Sequence, residues 1–270
     1  MPPINPRQLA LDCLLETDVA RKLTLTAVAF AAVDSQAPWV IDAIEPGVVA
    51  IPVPGRPPTP VLVPPNQLAQ RKLNTVEGRA ALIHAVAHIE FNAINLAWDA
   101  VYRFPGLPDG YYRDWASVAA DEARHFQLLS ARLSQLGFRY GDFPAHDGLW
   151  QMACDTAHDV MVRMALVPRV LEARGLDVTP GMIERLRRAG DAATIDVLEV
   201  ILREEVRHVA IGSRWFATIC AQRGLRPRDT FLALVQSQAA PLRLPFNVAA
   251  RLQAGFDQAE IDGLTQLASA

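Results

Sequence analysis

Apolar residues recur at intervals of three and four along most of the chain, and four stretches hold that helical period for about 25 residues or more. The first starts at Thr75, a side chain suited to cap a first turn, with Glu77 just inside it. It should run to about Arg103 and stop before Phe104-Pro-Gly-Leu-Pro108. The second spans roughly residues 110–136 and ends at Gly137; the third spans about 147–174 and ends at Gly175. Thr179-Pro180 then opens a short helix to Ala189, and the fourth long helix covers about 191–222, with Gly224 as its stop. Residues 5–35 read as one or two helices, with Leu9, Leu11, Leu14, Leu15, Leu23 and Leu25 as packing positions. From Pro38 to Pro65 proline is too dense for a helix, and the Val/Ile-Pro rhythm predicts an extended segment packed along the helices. The last ~45 residues read as shorter helices broken at Pro227, Pro241 and Pro245.

The pattern predicts an all-α protein. Four long helices, with residues 138–145 as the single long crossover, make a four-helix bundle over about 66–225. Residues 1–65 would wrap it, and 226–270 would pack on it as short helices.

Chemistry enters through polar residues on the apolar stripes. Glu122-Ala-Arg-His125 and Glu205-Val-Arg-His208 each place a carboxylate and an imidazole one turn apart on one helix face, within reach of a single metal ion. Glu90 and Glu172 stand on the other two helices. Glu90 and Glu122 are 32 residues apart, Glu172 and Glu205 33, which two helical hairpins about a pseudo-twofold axis would produce. Coincidence is the alternative, and the matched spacing argues against it. The rows are otherwise apolar: Ile83, Val86, Ile94 and Ala97 flank Glu90; Val118 and Leu129 flank the first pair; Met161, Ala165 and Pro168 precede Glu172; Leu198, Ile201, Gly212 and Trp215 flank the second pair. Carboxylates on such faces are costly unless paired or bound to metal. Six ligands, Glu90, Glu122, His125, Glu172, Glu205 and His208, would hold two divalent ions. Carboxylate-rich sites with one imidazole per ion suit iron first and manganese second, rather than structural zinc.

Four other residues lie near these rows. His158, Gly212, Trp215 and Tyr111 are candidates to hydrogen-bond the ligands from outside or to line a channel; Gly212 and Ala97 are small enough to leave room for a substrate. His84 and His88 are four apart, but His88 lies roughly 200° around the helix from Glu90, so packing or hydrogen bonding is the expectation there.

Composition narrows the setting. A 51 % hydrophobic and 20 % charged chain of 270 residues can bury a large core. No apolar run matches a membrane span, and Met-Pro-Pro-Ile-Asn-Pro lacks the start of a signal peptide. Cys13, Cys154 and Cys220 are odd in number and widely spaced, which favours packed thiols in a reducing compartment, the cytoplasm. Net charge −3 argues against a nucleic-acid partner. Arg185, Arg187 and Arg188 could form a small anion patch, although exposed Arg on a helix is ordinarily solvated surface.

The segments His84-Ala-Val-Ala-His-Ile-Glu-Phe-Asn92, Ala120-Asp-Glu-Ala-Arg-His125, Gly141-Asp-Phe-Pro-Ala-His-Asp147, Val167-Pro-Arg-Val-Leu-Glu-Ala-Arg-Gly175 and Glu205-Val-Arg-His-Val-Ala-Ile-Gly212 resemble the ferritin-like superfamily. They are most similar to a bacterial family of ferritin-like proteins known only as a domain of unknown function. The resemblance implies a ferritin-like bundle in which all six residues match metal-ligand positions. Relatives include oxygen-activating hydroxylases (one of them modifying tRNA), manganese catalases, rubrerythrins and ferritins. These span several activities; a di-iron oxidoreductase acting on an unknown small-molecule substrate is preferred, because residues 1–65 and 226–270 exceed what a storage bundle needs and fit cover that excludes water from a reactive centre. Metal storage, ferroxidase or peroxide scavenging is the alternative, and an RNA-modifying hydroxylase a lesser one. The paired cysteines of a rubredoxin module are absent, so the electron donor would be external. A dimer is compatible with this reading; a membrane partner is not.

Overall fold

The computed structural model describes residues 3–35, 37–40, 47–69, 71–238, 240 and 242–269. The described residues are all-helical, with two isolated bridges and no strand. The chain divides into two compact units, Met1–Cys154 and Asp155–Ala270.

In the first unit Asn5 and Asp18 cap α1 (Pro6–Leu15) and α2 (Val19–Asp34), their side chains accepting from first-turn N–H groups. Of the six leucine positions only Leu14 is fully buried; Leu9, Leu11, Leu23 and Leu25 are half-buried. Ala10, Cys13 and Leu14, then Thr26, Ala29 and Val33, point inward, while Leu15 is 54 % exposed. Small residues at helical spacing let α1 and α2 lie close against their neighbours. Lys22 goes in with them, fully buried, its Nζ donating to the Cys13 carbonyl at 2.7 Å and to Asn95 Oδ1 at 2.6 Å. Burial pulls its pKa down to about 8.

The long helices α3 (Val76–Arg103) and α4 (Asp109–Gln135) pack side by side with the limits their sequence predicts. Thr75 Oγ1 accepts from Gly78 N at 3.0 Å, and Gly137 takes a left-handed φ of 82° just past α4. By length and composition α3 could cross a bilayer, but 78 % of its apolar stretch is buried inside the protein, as in a core helix. The proline-rich segment is packed, as expected. Val63 N donates to Ala145 O at 2.8 Å, Gly55 N to Leu14 O at 2.6 Å, and Trp150 of α5 (Gly148–Asp155) to Ile51 O. Residues 41–46 of that segment, and Pro241 near the C-terminus, lie outside the described residues.

The third long helix is where the structure departs from the pattern. It is broken between Asp155 and Val160: α5 ends, a turn follows, and Asp159 caps α6 (Val160–Leu166) by accepting from Met161 N at 2.6 Å. Arg223 holds the same carboxylate at 2.7 Å. Residues Val167–Glu172 then form a π-helical turn, and α7 (Ala173–Arg188) continues through Gly175 and Pro180 without stopping. Pro168 has no N–H to donate, which favours the widened turn. Leu176, Thr179, Ile183 and Leu186 form a buried stripe at three- and four-residue spacing, and its packing outweighs the two local breakers. The unit is completed by α8 (Ala192–Gln222), α9 (Pro227–Ser237), α10 (Val248–Gln253) and α11 (Gln258–Ser269).

Candidate metal centre

In the first unit α3 and α4 bring Glu90, Glu122 and His125 together. The three side chains are 4 %, 1 % and 0 % exposed, and each offers a ligand atom within 4.8 Å of the others. His125 Nδ1 lies 3.2 Å from Glu90 Oε2 and 3.5 Å from Glu122 Oε2. Each residue stands where its own helix is apolar on both sides, so helical packing alone aims the three inward. Two carboxylates in so dry a place repel one another and must draw in positive charge. His125 shows that demand. Burial disfavours its imidazolium, yet hydrogen bonds to Glu122 and Glu90, with their charges, push its pKa up to about 11. The proton occupies the place of a cation, and the donor set (two carboxylate oxygens and one imidazole nitrogen) is that of a metal site. Phe91 and Phe126, next in sequence to Glu90 and His125, are both buried and pack on each other with ring centres 5.6 Å apart and on Tyr140.

In the second unit α8 repeats the local motif. Glu205 and His208 are 9 % and 0 % exposed, with Glu205 Oε1 at 3.3 Å from His208 Nδ1. Glu172 stands at the last position of the π-helical turn and is half-buried.

The lesser candidates divide. Beside Gly212 there is no room for substrate: a Cβ there would sit 2.3 Å from the Pro168 ring, so that space is already filled. His158 belongs to the turn after α5 and is exposed, because the helix that would have carried it onto the ligand stripe is broken. Trp215 and Tyr111 are buried core aromatics, Tyr111 edge-on to Tyr112 at 5.5 Å. His84 and His88 form no second metal site. His84 Nε2 accepts from Gly141 N at 2.9 Å, and His88 bonds Tyr140 Oη at 2.8 Å and the His146 carbonyl at 3.1 Å. Burial holds both near pKa 4, with the neighbouring imidazole adding to the effect at His84. Arg187 and Arg188 pair with Glu184, at 2.6 and 3.2 Å, rather than forming an anion patch.

Sequence reasoning missed the buried cations. Besides Lys22, Arg169 is 2 % exposed, pairs with Glu260 at 2.9 Å and lies over the rings of Phe231 and Phe256. No spacing rule links residues 91 positions apart, so no local signal could have found that pair.

Fold and site together define an all-helical protein with a buried Glu/His cluster able to hold a metal ion. The chain belongs to the family described as "Protein of unknown function (DUF455)", whose model matches residues 15–262. It is 46 % identical over 219 residues to a Haemophilus influenzae protein described as "Uncharacterized protein", covering 78 % of this chain and 76 % of that one. No solved structure matches it.

Proposed function

We propose that this protein is a dimetal-carboxylate oxidoreductase of ferritin-like architecture that uses O2 to oxidise an unknown substrate. The observation that carries the reading is the convergence of Glu90, Glu122 and His125 in a buried cluster of opposed charge. The second pair, Glu205 and His208, repeats the spacing and burial of the first. By that repetition it is assigned, with Glu172, to a second ion sharing the centre.

In this reading α3, α4, the α6–π–α7 run and α8 are the four helical segments of the bundle. Glu90, Glu122 and His125, with Glu172, Glu205 and His208, would hold the ions. Two redox-active ions, iron by the carboxylate-rich donor set, would supply the electrons that O2 chemistry needs. The protein's residues do the rest. The four carboxylates balance the charge of two divalent ions, and His125 must give up its Nδ1 proton to become a ligand. The burial of Glu90, Glu122 and His125 keeps bulk water from that side. An external electron donor and a reducing compartment accompany the proposal, in keeping with the free cysteines Cys13, Cys154 and Cys220.

The test is elemental analysis of protein purified without added metal, beside a Glu122→Ala/Glu205→Ala variant. About two irons per chain, lost in the variant, is the expected result. Oxygen uptake after anaerobic ferrous loading would then be measured. Two manganese ions would redirect the reading to peroxide disproportionation. Negligible metal even after ferrous loading would overturn it.

A further inference from the structure

The second unit contains a pocket of about 400 Å³ that the metal ligands do not line. Its wall includes Arg169, Ser213, Phe216 and the first turn of α9, Arg226 to Asp229, together with Asp257 and Glu260. Three cations and three carboxylates give it no net charge, and each carboxylate is engaged. Glu260 accepts from Arg169 Nη2 at 2.9 Å through Oε1 and from Asp257 N at 3.0 Å through Oε2. Asp257 accepts from Glu260 N at 2.8 Å and from Arg228 Nη2 at 2.7 Å; Asp229 accepts from Arg226 at 2.6 Å.

What these pairs leave over is donor capacity. The first turn of α9 has no side-chain cap, so its N–H groups face outward with the positive end of the helix dipole. Ser213 is 7 % exposed, and its Oγ has no hydrogen-bond partner among the described residues; Arg169 Nε, on a side chain 2 % exposed, is in the same condition. A buried hydroxyl and a buried guanidinium nitrogen left unbonded are costly, and both line one pocket. Phe216, Ala217 and Pro227 supply an apolar wall beside these donors.

We propose that this pocket binds a small organic carboxylate. Its carboxylate accepts from Ser213 Oγ, Arg169 Nε and the α9 N-terminus, and its apolar body lies on Phe216. A monoanion matches a wall whose charges already cancel, and the leftover donors match a group that only accepts. This assignment is independent of the metal reading.

Benzoate and, separately, inorganic phosphate would be titrated by calorimetry into the full chain and into Ser213→Ala and Ala217→Asp variants, with circular dichroism as the check on folding. Ser213→Ala removes one donor with little change in shape; Ala217→Asp puts a carboxylate on an exposed position of the pocket wall. Benzoate should bind the wild type, about tenfold more weakly to Ser213→Ala, and not at all to Ala217→Asp, with metal content unchanged in both. No heat with benzoate in the millimolar range, equal binding to all three proteins, or a preference for phosphate would each overturn the proposal.

Discussion

The two Glu-x-x-His helices are near copies, yet the segments that carry their partner glutamates differ. Glu90 sits in the middle of an unbroken 28-residue α-helix, 4 % exposed and 3.2 Å from His125. Glu172 sits at the end of a π-helical turn and is half-buried. The cause is local. Around Glu90 the chain reads Ala, His, Ile, Phe and Asn, all able to keep a regular ladder. Ahead of Glu172 stands Pro168, which cannot donate to the preceding turn and whose ring fills the notch at Gly212. Matched spacing in a sequence thus sets which residues recur without setting how rigidly each is held. In this protein one carboxylate is built on a rigid element, and its counterpart is built on a turn type found often at functional sites.

Replacing His125 should separate the two regions most. In metal-free protein, His125→Gln leaves Glu90 and Glu122 buried without their imidazolium and should cost about 3–5 kcal/mol in urea unfolding. His208→Gln should cost less, since Glu205 at 3.3 Å from that ring is 9 % exposed where Glu90 and Glu122 are 4 % and 1 %. Equal losses would mean the two half-sites bear the same electrostatic load.

Acid should act next, and on the first unit. His84 and His88 are held near pKa 4 against an ordinary value of 6.5, so the unfolded chain binds protons that the folded chain refuses. Their contribution is whole above pH 6.5 and is lost as pH falls from there to about 4; at His88 it amounts to about 3 kcal/mol. Hydrogen exchange should show α3 loosening across that window, and His88→Gln should flatten the response.

Gly212→Ala tests the π turn. The added Cβ would fall 2.3 Å from the Pro168 ring, forcing α8 and the turn apart at a cost of about 1–3 kcal/mol. Exchange should rise across residues 167–172 while α3 stays protected, and a Gly212→Ala/Pro168→Ala double variant should recover most of the loss. The smallest effect is a control. Thr75→Ala and Asp191→Ala each remove an N-cap, one from α3 and one from α8, and each should lower stability by about 1 kcal/mol in thermal unfolding.

The legible parts of this protein were those where one helix sufficed to explain its own residues. Thr75, Gly137, Asp191 and Gly224 mark ends because a cap or a left-handed turn acts within a few residues. The inward faces of Glu122 and His125, and of Glu205 and His208, follow from the same short range. Gly175 and Pro180 read as breakers and were overridden, because the buried stripe of α7 is worth more than two unfavourable residues. Of the leucines of residues 9–25 that read as the packing face, Leu14 is fully buried, Leu15 is exposed and the other four are half-buried. The smaller Ala10, Cys13, Thr26 and Ala29 complete the buried faces, so that α1 and α2 can come close to the core.

By itself, then, the sequence determined the helical class, the limits of α3, α4 and α8, and the identity of carboxylates and imidazoles on apolar faces. These depend on periods of three and four residues, which the chain carries locally. Tertiary structure decided the breaks around α6, the seat of Pro168 against Gly212, the burial of Lys22 and the joining of Arg169 to Glu260. Each of these depends on which distant residue fills a space or supplies a charge, and such partners meet only when the helices have packed.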